Sequence, residues 1–90
     1  NTLQNLLDLI DSGNINDAEN QIYDMISDVT ADPSKENLKI ALMFYAHLNE
    51  KSNKFLEEND FSREEVKQGI QLVIDKYGLN SISDTFLSDM

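Results

Sequence analysis

Ninety residues with 40% apolar content can build one core, whereas two separate cores would each be too small to fold unaided. Seventeen acids against seven bases leave a net charge of −10, which repels nucleic-acid phosphates and anionic lipid surfaces alike. No stretch approaches the roughly 18 apolar residues of a membrane span and no signal-peptide pattern is visible; with no Cys and one His, disulfides, thiolate sites and His-rich metal sites lack their residues.

In chain order, the first element is an amphipathic helix, because Leu3, Leu6, Leu7 and Ile10 recur at i, i+3, i+4 and i+7. It ends at Ser12-Gly13, where glycine can take the left-handed cap conformation. Asn14 reads as the next N-cap, with Asp17 suitably placed in the first turn. Ile15, Ala18, Ile22, Met25, Ile26 and Val29 then form a second apolar stripe. So short a connection makes the two helices antiparallel neighbours.

Asp32-Pro33 predicts a third helix running to about Glu50, with Asp32 as its cap and Pro33 in the first helical position. Leu38, Ala41, Leu42, Tyr45 and Leu48 give it one apolar face, while Ile40, Met43 and Phe44 cover much of the rest. A helix apolar on most sides belongs at the centre. Ser52 caps a short turn carrying Phe55 and Leu56 and ending near Asn59.

Ser62-Arg63-Glu64-Glu65 is a capping box, with Phe61 and Val66 placed as a hydrophobic staple. Val66, Gly69, Ile70, Val73, Ile74 and Tyr77 follow at helical spacing, and Gly69 on that apolar face predicts the close approach of a neighbouring helix. Gly78 and Leu79 suit a Schellman ending. Ser81 with Asp84 predicts a last short helix bearing Ile82, Phe86 and Leu87.

No segment alternates with period two, so the expected fold is all-α: five or six helices in two stacked antiparallel helical hairpins, with a short C-terminal helix across one end. Residues 1–90 form a single domain on this reading. Its expected core is Ile22, Ile26, Leu42, Tyr45, Leu48, Ile70, Val73 and Ile74.

Shifted by 48 residues, the second helix falls on the long C-terminal one: Asn14 meets Ser62, Asp17 meets Glu65, Ile22 meets Ile70 and Ile26 meets Ile74. Hairpins recurring at such intervals are the mark of stacked helical repeats, in which one hairpin buries its apolar face on the next. From Asp11 to Pro33 the chain resembles the second half of a tetratricopeptide repeat, through Gly13-Asn14, Ala18 and Asp32-Pro33. It departs from that family in length and in having Ile15 where an aromatic is usual.

A second resemblance covers most of the chain. Leu6 to Met25, the run Ala41-Leu42-Met43-Phe44-Tyr45-Ala46-His47-Leu48-Asn49-Glu50, and Phe61-Ser62-Arg63-Glu64-Glu65 through Tyr77-Gly78-Leu79 resemble a family of small uncharacterised helical proteins of Gram-positive bacteria. The resemblance implies a bacterial, cytoplasmic, helical protein. It also implies a further N-terminal helical segment, in keeping with a chain that starts at Asn1. It supplies no catalytic residue or ligand.

Chemical motifs fail on inspection. Asp8 to Glu19 has the length of a calcium loop, but Ile10 and Ser12 stand where oxygen ligands are needed, and from Asp28 Pro33 replaces the required glycine. Asp24 and Asp28, at i and i+4, could serve acid–base chemistry only if burial raised one pKa. Glu57-Glu58-Asn59-Asp60 reads as an acidic surface turn, with weak divalent-cation binding as its alternative. His47 has Met43 and Phe44, not acids, one turn back. Ser62 to Gly78 has the size of a helix–turn–helix element, but Glu64, Glu65 and Asp75 offset Arg63, Lys67 and Lys76.

The expected protein is therefore no enzyme and carries no metal or cofactor. It is a protein-interaction or self-association module, its partner a protein or a second copy. Tyr23, Phe44, Tyr45 and His47 are the candidate lining of a partner groove, and Leu3, Leu7 and Ile10 are a candidate apolar surface for self-association. The alternative is a regulatory nucleic-acid-associated protein whose basic segment lies upstream of Asn1.

Overall fold

In the computed structural model, which describes residues 1–79, the chain forms α1 (Thr2–Asp11), α2 (Ile15–Ile26), α3 (Glu36–Asn49), α4 (Asn53–Glu58) and α5 (Arg63–Lys76). A 3-10 turn at Val29–Ala31 precedes α3, and no strand occurs among the described residues. The helix expected from Ser81 lies outside them.

Three of the helices stop in the same way. After α1, Gly13 takes φ +88° and the Asn14 N–H donates to the Leu9 carbonyl at 2.8 Å. After α5, Gly78 takes φ +70° and the Leu79 N–H donates to the Ile74 carbonyl at 2.9 Å, the expected Schellman ending. After α4 the left-handed residue is Asp60 at φ +57°, and the Phe61 N–H reaches the Leu56 carbonyl at 2.9 Å. Asp tolerates that conformation better than most residues, so this ending carries no glycine signal.

The start of α3 differs from expectation. Asp28 is extended, and its carboxylate accepts from the Thr30 N–H at 3.1 Å and the Thr30 hydroxyl at 2.6 Å. That local bonding ends α2 at Ile26 and puts Val29 in the turn instead of on the α2 stripe. The helix then begins at Glu36, not at Pro33, with Lys35 at its N-cap in the left-handed region. Asp32 still caps it, from further back: its carboxylate accepts from the Glu36 N–H at 3.1 Å, the Asn37 N–H at 2.8 Å and the Tyr77 hydroxyl at 3.2 Å. Burial works to raise the Asp32 pKa, but these hydrogen bonds outweigh it and hold the carboxyl below its ordinary value. Asn14 precedes α2 but makes no side-chain cap.

Helix α3 packs against α1, α2 and α5 and is the central element. The Asn37 side chain donates to the Met25 carbonyl at 3.0 Å, so the start of α3 meets the end of α2. Tyr77 on Asp32, and Arg63 on the Asn49 carbonyl at 2.7 Å, run α5 opposite to α3. The pair α3–α5 is thus antiparallel, and the other side of α3 meets α1 and α2. Ser62 accepts from the Glu65 N–H at 3.2 Å, and its hydroxyl lies 3.2 Å from the Glu65 carboxylate, while Phe61 and Val66 are both buried.

One cluster of buried residues joins all five helices. Seven of the eight expected core residues belong to it; Leu42 does not and is 39% exposed. The buried arc of α3 is set by Ala41, Phe44, Tyr45 and Leu48, and Leu42 falls beyond its edge. Ile10, expected as free surface, is fully buried, and Leu3 and Leu7 are half-buried.

Candidate functional site

The four residues expected to line a groove do not share one. Phe44 and Tyr45 are completely buried, packed edge to face with ring centroids 5.0 Å apart. Three helices surround that part of α3, which leaves adjacent aromatics no route to solvent. Tyr23 is exposed on α2. His47 is half-buried, and its Nε2 lies 2.8 Å from Asp11 Oδ1.

Tyr45 crosses the core to a buried carboxylate. Its hydroxyl donates to Glu19 Oε2 at 2.8 Å, and Glu19 is only 8% exposed. Burial pushes the Glu19 carboxyl above its ordinary value, the Tyr45 and Tyr23 hydroxyls pull the other way, and the Glu65 charge adds to the rise. Burial first, then the Glu19 charge, raises both phenols. Gly69 makes room for the Tyr45 ring, because a Cβ at that position would stand 2.6 Å from the hydroxyl oxygen. The sequence marks Gly69 as a close approach but gives no sign that Glu19 turns inward.

A second polar cluster ties α1 to the end of α3. Asp11 Oδ1 is 2.8 Å from His47 Nε2 and 2.7 Å from Lys51 Nζ, and Lys51 also lies 5.1 Å from the centre of the Phe55 ring. Hydrogen bonds from Lys51 and then His47 hold the Asp11 carboxyl below its ordinary value. The acid partner missing from the His47 helix thus comes from 36 residues away, beyond the reach of local spacing.

The other chemical candidates dissolve. Asp28 is off the helix that carries Asp24, so the two carboxylates do not sit one turn apart. Glu19 is engaged with Tyr45, and Asp8 lies within α1, so the Asp8–Glu19 loop does not exist. Asp17, Glu58 and Asp60 border an open cleft of about 250 Å³, but among the described residues no group of three His, Asp or Glu side chains is arranged to hold a metal ion.

Among the described residues, the outer side of α3 carries exposed apolar side chains. Met43 is 55% exposed, Leu42 is exposed beside it, and Ala46 lies one turn on from both. Next to Met43, Leu3, Ile40 and Lys39 help line a cleft of about 350 Å³ between α1 and α3. Such a face offers apolar contact area and no reactive group.

A central helix held by polar contacts to its neighbours, with exposed apolar side chains on its outer side, defines a small all-α bundle. The chain belongs to a family of unknown function, DUF6483, whose model matches residues 1–78. No curated protein and no solved structure matches it. Among the described residues no helix is long and apolar enough to cross a membrane.

Proposed function

We propose that this domain is a non-catalytic protein-interaction module that docks its partner on the outer face of α3. The observation that carries this reading is the exposure of Met43 and Leu42 side by side on α3, whereas the other large apolar side chains exposed among the described residues, Tyr23 and Leu72, stand on separate helices. The polar groups with perturbed pKa values add support, since Asp11, Glu19, Asp28 and Asp32 are each bonded to the fold's own side chains or caps. The resemblance to small helical proteins of Gram-positive bacteria favours a cytoplasmic bacterial setting, and the Gly13-Asn14, Ala18 and Asp32-Pro33 pattern favours a repeat-like mode of docking.

The test is affinity capture and cross-linking from an extract of the source cells, with wild type beside Met43→Glu. Met43 is exposed, so the substitution leaves the fold intact. Wild type should hold a defined protein, this chain itself included, that the variant loses. Equal capture by both, or capture by neither, overturns the reading.

A further inference from the structure

Resting on that interaction reading, we propose that the occupant of this face is a second copy of the same chain, joined through an antiparallel α3–α3 contact about a two-fold axis. Along α3 the outward positions Lys39, Met43, Ala46 and Glu50 follow each other at spacings of four, three and four residues. That alternation keeps a seam on one side of a helix and is the spacing that lets two helices interlock. All four residues are exposed.

The seam is matched to itself in reverse. A two-fold axis midway between Phe44 and Tyr45 sets residue i of one copy opposite residue 89 minus i of the other, a consequence of isologous symmetry. Lys39 then faces Glu50 at both ends of the contact, and the large Met43 faces the small Ala46 on either side of the axis. A parallel contact would instead set Lys39 on Lys39 and Glu50 on Glu50. The Lys39 ammonium is free to pair in this way, since its contact with Glu36 is 3.9 Å long and both side chains are well exposed.

Charge is compatible with self-contact on this face. Residues 1–34 hold seven of the seventeen acids and none of the seven bases, so two copies repel where those segments would meet, whereas residues 35–79 hold eight acids and all seven bases and are near balance. The seam carries one acid and one base and is neutral. The cleft beside Met43, bordered by Leu3 and Ile40, gives the partner's side chains a place to enter.

Sedimentation equilibrium of the whole chain over a wide concentration series tests the contact. Wild type should dimerise, and Met43→Glu should raise the dissociation constant by roughly tenfold or more. Lys39→Glu and Glu50→Lys should each weaken the dimer, and the double variant carrying both should restore it, because the swapped charges face each other again across the axis. Circular dichroism checks that each variant keeps its helices. A wild type that stays monomeric overturns the proposal, and so does a dimer that the double swap fails to restore. A monomer that still captures another protein through Met43 removes the second copy and leaves the interaction module standing.

Discussion

The Tyr45 ring lies directly on Gly69, so close that a Cβ at Gly69 would fall inside van der Waals distance of ring carbons Cε1 and Cζ. Glycine in mid-helix costs about 1 kcal/mol relative to alanine, and here that cost is offset by bringing α5 onto the α3 aromatic. Gly69→Ala should therefore destabilise the fold, by about 1–3 kcal/mol, as overpacked cores do. A lower urea midpoint with an unchanged m-value is the expected result. A higher midpoint would mean that the ring moves aside freely.

The buried carboxylate gives stability an unusual slope. In the folded state the Glu19 pKa lies above its ordinary value of 4.5, so its contribution is full below 4.5 and is lost as pH rises through the folded value. Asp11, Asp28 and Asp32 act with the opposite sign: their folded pKa values lie below 3.8, and the stability they add above that value is lost as pH falls through the folded ones. Stability should thus rise on mild acidification from neutrality and fall in strong acid. Glu19→Gln keeps an acceptor for Tyr45 without the charge; it should be more stable than wild type at neutral pH and lose the rise. Glu19→Ala, which strands the Tyr45 hydroxyl, should cost about 1–3 kcal/mol. Urea midpoints across pH separate these outcomes, and a wild type that only weakens on mild acidification would overturn the assignment.

Arg63 binds the end of α3 with three of its nitrogens. Nη1 donates to the Asn49 carbonyl at 2.7 Å and its side-chain oxygen at 2.9 Å, Nε donates to Asn53 Oδ1 at 3.1 Å, and Nη2 donates to the Lys51 carbonyl. These oxygens belong to the end of α3, the link after it and the start of α4, where a planar guanidinium fits and an ammonium reaches only part of the set. Arg63→Ala should cost about 1.5–3 kcal/mol, the range for hydrogen bonds to a charged group. Arg63→Lys should recover less than half of it in thermal or urea unfolding.

Local chemistry was legible and long-range chemistry was not. The Ser62 cap, the Gly13 and Gly78 endings and the room made at Gly69 are all encoded within a few residues or by a glycine, and all appear, though of the capping box only the Ser62 half forms. The α3 start was misplaced because Asp32 caps from four residues before Glu36, where the Asp-Pro pair points to a helix beginning at once. Tyr45 with Glu19 and His47 with Asp11 are 26 and 36 residues apart, and no spacing rule joins residues that only the packing of α3 brings together. Phe44 and Tyr45 were expected at a groove because aromatics suit both grooves and cores; the three helices around α3 decide for the core.

Leu42 and Leu48 sit on the same helix and mark its exposed and buried sides. Leu48 has no exposed surface and packs within the core cluster, whereas Leu42 keeps 39% of its surface in water. Leu48→Ala removes buried methyls and leaves a void, so it should cost about 2–5 kcal/mol. Leu42→Gln exchanges one helix former without β-branching for another at a largely wet position and should change stability by less than about 1 kcal/mol. Because Leu42 flanks the Lys39–Glu50 seam, its replacement should register in self-association and not in unfolding. If Leu42→Gln destabilised the folded chain as much as Leu48→Ala, the outer side of α3 would be part of the core, and the surface assigned to the partner would already be occupied.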